Sequence, residues 1–200
     1  MPIRDVATQL SNDWDRQYRL GDWDYLWTEE QEPRYALIAG WYQRFASERR
    51  AVLDVGCGEG VLLSFLDHDR LKRYVGIDWS HLAVARAIGR YQTACAAEFK
   101  VAAAEEFASV CVERFDLVII NEVLYCTSDP LGLFESYARL LEPRGAIIVS
   151  ICDAEIALLQ LLEQLHSRSL QASWRVKEQR SGKGWGISVF QPNCEARAES

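Results

Sequence analysis

Residues 52–60 read VLDVGCGEG: an apolar run that carries Asp54 opens onto glycines at 56, 58 and 60, with Cys57 between the first two. A backbone without Cβ atoms can take positive φ and let a ligand approach closely. Asp78 ends the next apolar run, YVGID, at the distance where a carboxylate accepts hydrogen bonds from ribose hydroxyls. A dinucleotide fingerprint, G-x-G-x-x-G, requires a third glycine at position 61, where this chain has valine. Asp54, two residues before the first glycine, would repel a pyrophosphate. The pattern fits a nucleoside that carries a positive centre and no phosphates.

Such residues act only if strands bring them to one edge of a sheet. Ala51 to Val55 reads as a first strand, and Gly60 to Leu66 as the start of a helix. Tyr74 to Ile77 is a second strand, followed by a helix from an N-cap at Ser80 to about Tyr91. Phe99 to Ala102 and FDLVII (115–120) are strands three and four, the latter apolar throughout as a doubly covered strand should be. Asp129-Pro130 caps a helix that presents Leu133, Phe134, Tyr137, Leu140 and Leu141, and EPRG (142–145) turns it into a fifth strand, AIIVSI. A helix from Asp153 to about Arg168 precedes WRVKEQ, SGKG and WGISVF, a strand–turn–strand hairpin. Alternation of this kind predicts an α/β, Rossmann-like, doubly wound and mostly parallel seven-stranded sheet with an antiparallel C-terminal hairpin.

VLDVGCGEG, then YVGIDWS (74–80), FDLVIINEVLY (115–125) and LLEPRGAIIVS (140–150), resemble the successive motifs of class I S-adenosylmethionine-dependent methyltransferases. The resemblance covers roughly Ala51 to Phe190 and implies S-adenosylmethionine as cofactor. It implies that Gly56, Cys57, Gly58 and Gly60 hold the methionine part, with Asp54 near its amino group. Asp78 would take the ribose diol, Trp79 would lie against adenine, and Asn121 would offer its backbone carbonyl to the amino group. The family often has an acidic residue just before the stretch AEEF (104–107), where this chain has Ala103. Either Glu105 substitutes, or only backbone atoms around Ala104 contact the base.

The same resemblance implies methyl transfer by in-line displacement, in which alignment of the reacting atoms is the main contribution. Glu122 and Tyr125 after strand four, and Asp153 after strand five, are the candidate catalytic residues on the acceptor side. Asp153 is read first as a helix N-cap, with catalysis second, and Tyr125 equally as a packing residue. No metal-ligand motif is present, and the three histidines read as structural or solvated.

Four of the seven tryptophans fall at or before residue 41, with Tyr18 and Tyr25 among them. Residues 1–47 therefore read as an aromatic arm and helix able to fold over the cofactor and exclude water. Trp23 and Arg34 are its candidate cofactor contacts, Arg34 for the carboxylate, and Trp23 and Tyr25 are read equally as packing. GDWDYLWTEEQEPRY resembles the arm of small methyltransferases of glycan and natural-product pathways, and NEVLY resembles nodulation-type N-methyltransferases. The expected acceptor is a hydroxyl or amine of a sugar or other small metabolite; the alternative is a catalytically silent binding protein or scaffold on the same fold.

The 200 residues suit a single domain over 1–191, with residues 192–200 a disordered tail. A net charge of −7 disfavours a phosphate backbone as partner, so no nucleic acid is expected. Six scattered cysteines without a C-x-x-C pair, no apolar leader and no stretch long enough to span a bilayer point to the cytoplasm and to no membrane.

Overall fold

The computed structural model describes residues 13–45, 50–91, 96–153, 156–167 and 169–192. The first twelve residues of the arm, and the tail from 193 onward, lie outside the described residues.

Seven strands form one sheet: β1 (Arg50–Val55), β2 (Leu71–Asp78), β3 (Ala97–Val101), β4 (Phe115–Asn121), β5 (Leu141–Cys152), β6 (Leu170–Lys177) and β7 (Gly184–Phe190). Their order is β3-β2-β1-β4-β5-β7-β6. Strands β1 to β5 pair in parallel, whereas β7 runs antiparallel to β5 and β6 antiparallel to β7. Strand order reverses between β1 and β4, which is where an open α/β sheet leaves a crevice outside the carboxyl ends of its strands.

Period-2 alternation splits each central strand between two apolar layers. Leu53, Val55, Val118 and Ile120 pack towards α4 (Ala104–Val110), α5 (Pro130–Ala138) and α6 (Ile156–Leu165). Val52, Leu117 and Ile119 pack on the other side with Tyr35, Ile38 and Tyr42 of α2 (Glu32–Phe45) and Tyr91 of α3 (His81–Tyr91). By the same parity, Asp54 and Asn121 project on the α2 side of the sheet, and this places the site. Residues 13–20 form a further helix, α1.

Two local expectations are corrected. No α-helix follows the glycine loop; Leu62–Phe65 is a single 3-10 turn, and a second covers His68–Arg70. In a 3-10 turn positions i and i+3 eclipse, so Leu63 and Leu66 are both buried on one side, which the short connection from β1 to β2 permits. The Tyr42 hydroxyl donates to the Asp67 carbonyl and ties this connection to α2. EPRG does not precede the fifth strand but lies within it: Leu141 pairs with Phe115 and Ala146 with Leu117, so residues 142–145 bulge out of β5. Leu140 and Leu141 accordingly fall after α5 rather than on it.

The Asp129 cap forms as expected, its Oδ1 accepting from Gly132 N at 2.9 Å with Pro130 opening the helix. Asp129→Ala should lower stability by about 1 kcal/mol, read from the urea midpoint at unchanged slope; an unmoved midpoint would show the cap to be idle.

Candidate active site

The glycine loop leaves β1 with Gly56, Gly58 and Gly60 at φ 73°, 54° and 79°. At Gly56 the requirement is also one of space, since a Cβ would run into the Val123 side chain. Gly56 N and Cys57 N both donate to the Ile77 carbonyl, so the loop is sewn to the end of β2. Buried Glu59 pairs with Arg86 at 2.6 Å and anchors the loop to α3 as well. Cys57 is buried, and burial pushes its thiol up.

Asp78 closes the other side of the loop. Its Oδ2 accepts from Gly58 N at 2.9 Å and its Oδ1 from Ser80 N at 2.8 Å. Burial raises its pKa, and the backbone N–H groups of Ser80, Gly58 and Trp79 oppose that rise. Trp79 follows, half-buried. Ser80 is the expected cap of α3, its Oγ accepting from Ala83 N at 3.1 Å.

Part of the arm folds back over this edge. Tyr18 is buried, and a Cβ at Gly58 would sit 2.8 Å from its hydroxyl. Trp23 packs against Tyr18, Trp14 and Tyr25 with ring centroids 6.0, 5.3 and 6.0 Å away. The arm continues towards the β6–β7 turn, where Lys183 Nζ meets Glu30 at 2.8 Å and lies 5.2 Å from the Tyr25 ring centroid.

Arg34 and Glu122 form the wall next to β4. Arg34 is buried between the Tyr35 and Trp185 rings, donates to the Tyr35 hydroxyl at 3.0 Å and lies 3.7 Å from Glu122 Oε1. Glu122 accepts from Ser150 Oγ at 2.8 Å, Cys152 N at 3.0 Å and the Tyr125 hydroxyl at 3.0 Å. A carboxylate offers about four acceptor positions, and these partners occupy most of them. Its backbone stands at φ 64°, which a non-glycine residue holds only when its surroundings over-determine it.

Four buried polar atoms have no hydrogen-bond partner among the described residues: Asp54 Oδ1, Asn121 Oδ1, Arg34 Nε and Trp23 Nε1. Leaving such an atom unpaired costs about 1–3 kcal/mol, so each marks a place where a polar partner would be stabilising. Two are acceptors projecting on the α2 side of adjacent strands; two are donors from the arm and α2. That is the complement of an α-amino acid, ammonium to the acceptors and carboxylate to the donors. The residues present therefore fit the methionine end of S-adenosylmethionine.

Asp54 carries a pH signature. Burial raises its pKa to about 7, against the hydroxyl of Tyr74, which donates to Oδ2 at 2.5 Å and lowers it. The folded state thus holds a proton that the unfolded chain releases near pH 4. Stability of the ligand-free protein should fall as pH rises from about 4 to 7 and then level off. A cationic ligand binds the ionised form better, so its affinity should rise over the same interval. Affinity for S-adenosylhomocysteine measured from pH 5.5 to 8 checks this, and a flat profile in wild type, matching that of Asp54→Asn, would contradict it.

The other expected residues fall as follows. Ala104 opens α4 and its carbonyl accepts from the Tyr137 hydroxyl at 2.8 Å, while Glu105 is exposed. Tyr125 is 39% exposed. Asp153 N donates to the Gly184 carbonyl at 3.0 Å, and its carboxylate fills the space a Cβ on Gly184 would need. The expected cap at Asp153 involves residues 154–155, which lie outside the described residues. Among the described residues no group of three or more His, Cys, Asp or Glu side chains comes together as a metal site, and no helix is long and apolar enough to cross a membrane.

Sequence reasoning missed Asp15, Tyr35 and Tyr74. The i, i+4 spacing of Trp14 and Tyr18 was the available signal that α1 has a face to bury. Two shallow clefts, about 570 Å³ beside Trp27, Glu29 and Arg180 and about 460 Å³ beside Glu59, Arg86 and Arg90, lie away from the orphaned atoms.

A family model described as "Methyltransferase domain" matches residues 46–186. The ubiquinone biosynthesis O-methyltransferase of Pseudomonas paraeruginosa is 33% identical over 103 residues, covering 50% of this chain and 44% of that enzyme. The chain therefore spans less than half the length of this curated relative. Among solved structures, the N-methyltransferase NodS of Bradyrhizobium japonicum WM9, in complex with S-adenosyl-L-homocysteine, superposes with a TM-score of 0.69 at 17% identity, over 84% of this chain and 90% of that one. The 1,6-didemethyltoxoflavin-N1-methyltransferase of Burkholderia thailandensis, with 1,6-didemethyltoxoflavin and S-adenosylhomocysteine bound, gives 0.70 at 20% identity over 96% and 90%.

Proposed function

The chain belongs to the class I S-adenosylmethionine-dependent methyltransferase family, and from that premise we propose that it moves a methyl group onto a hydroxyl or amine of a sugar or other small metabolite. The observation that carries the cofactor half of this reading is the set of orphaned atoms on Asp54, Asn121, Arg34 and Trp23. When bound, the cofactor supplies a methyl carbon on a cationic sulfur, open to in-line attack. The chain's own residues bind, orient and exclude water. Asp54 and Asn121 receive the ammonium, Arg34 and Trp23 the carboxylate, Gly56, Cys57, Gly58 and Gly60 line the chain of the amino acid, and Asp78 takes the ribose diol. Trp79, Ala104 and Glu105 border the base.

On the acceptor side, Glu122 holds Arg34 and Tyr125 in place, and Tyr125 and Asp153 face the incoming molecule. Tyr25 and Tyr125 are exposed aromatic rings near this wall, and flat rings suit the C–H faces of sugars. The solved neighbours include N-methyltransferases and the curated relatives O-methyltransferases, so both acceptor chemistries stay within the proposal.

Incubation with methyl-labelled S-adenosylmethionine and panels of amino sugars, neutral sugars and small phenols tests it. Label transfer to one panel supports the reading and names the acceptor class. Cofactor binding without transfer to any panel would favour the alternative, a silent binding protein on the same fold.

A further inference from the structure

Asp15 lies on α1, far in sequence from the glycine loop, yet its Oδ1 accepts from Ser80 Oγ at 2.5 Å and from Leu82 N at 3.0 Å. It thereby supplies a second cap to α3, from outside the helix. Ser80 is fully buried and bonds in two directions: its backbone N donates to Asp78 Oδ1, and its hydroxyl donates to Asp15. One turn further along α1, Tyr18 stands over Gly58, and Trp23 with its unpaired Nε1 packs on Tyr18. Within the described part of α1, Tyr18 is the one buried residue, and Arg16 and Arg19 are exposed. Beside the contacts of Trp14 and Tyr18 with Trp23, the two hydrogen bonds to the Asp15 carboxylate tie α1 directly to the start of α3.

We propose that Asp15 is a latch that fixes α1 across the glycine loop, so that retention of the cofactor depends on docking of the arm. It is a positioning residue: it acts through Ser80 on the orientation of Asp78, and through α1 on Tyr18 and Trp23. The inference rests on the cofactor reading above and adds to it how the site is closed.

The test combines calorimetric titration with S-adenosylhomocysteine and limited trypsin digestion followed by mass spectrometry, on wild type, Asp15→Ala and Asp15→Asn. In wild type, ligand should slow cleavage after Arg16 and Arg19. Asp15→Ala should weaken binding by about tenfold or more, as expected for losing charge-assisted hydrogen bonds, and should abolish that protection. Asp15→Asn keeps an acceptor oxygen and should recover most of both. A role confined to general stability would instead lower the melting temperature and leave the dissociation constant and the protection unchanged; that result overturns the latch. If wild type itself fails to bind, the cofactor reading falls, and the latch is judged by ligand-free digestion. Faster cleavage of Asp15→Ala after Arg16 and Arg19 then supports it, and equal rates overturn it.

Discussion

Replacing Asp78 with alanine should weaken S-adenosylhomocysteine binding by at least about 100-fold, because hydrogen bonds to a charged partner contribute about 1.5–3 kcal/mol each and a diol makes two. The side chain has a second task, however. Its two oxygens already accept from Gly58 N and Ser80 N, so the alanine leaves both donors without a partner and loosens the loop at Gly58, while Gly56 N and Cys57 N still hold it to the Ile77 carbonyl. The loss should therefore exceed what the diol alone would explain, and the amino-acid end of the ligand should be held less well too. Asp78→Asn keeps one acceptor and should retain part of the affinity. Titration calorimetry decides the matter: binding of Asp78→Ala within about threefold of wild type would remove Asp78 from the ribose site.

Glu122→Ala should cost about 2 kcal/mol of stability, since removing the partly exposed carboxylate strands the buried charge of Arg34. Arg34, 3% exposed at its side chain, would keep the Tyr35 hydroxyl and two aromatic faces but lose its anion. Ser150 Oγ and Cys152 N would lose their acceptor as well. The backbone at φ 64° separates this effect from strain. Glycine tolerates positive φ where alanine does not, so Glu122→Gly should be more stable than Glu122→Ala by about 1 kcal/mol. Urea unfolding of both variants reads the two quantities. A midpoint for Glu122→Ala equal to that of wild type would show that the network around Arg34 does not hold the wall.

The succession of strands and helices along the chain, and the mostly parallel sheet with its antiparallel hairpin, were legible because they rest on local signals. Apolar runs of strand length, the caps at Ser80 and Asp129, and the glycines after Asp54 each declare themselves within a few residues. What was not legible depends on residues distant in sequence. That Asp54 is bonded by Tyr74, that Ser80 is shared with Asp15, and that the carboxylate of Glu122 is engaged from β5, α2 and its own turn are consequences of pairing and parity. Nothing near Glu122 in sequence announces Ser150 or Arg34, so its place in that network is not legible from its own motif. The misplaced helix after β1 has a different cause. Leucines at 62, 63 and 66 satisfy helical and 3-10 spacing alike, and the short path back to β2 selects the tighter turn. Likewise EPRG has turn chemistry, but the pairing of Leu141 with Phe115 begins the strand before it and converts the turn into a bulge.

The measurement that bears most directly on the site is a calorimetric comparison of S-adenosylhomocysteine, 5′-methylthioadenosine and NAD on the wild-type protein. The four orphaned atoms on Asp54, Asn121, Arg34 and Trp23 predict that the amino-acid end dominates affinity. S-adenosylhomocysteine should therefore bind at least about 100-fold more tightly than 5′-methylthioadenosine, which shares the nucleoside and thioether but lacks the zwitterion, and NAD should not bind. Equal affinity for the two thioethers, or a preference for NAD, would contradict the assignment of those atoms and with it the proposed site.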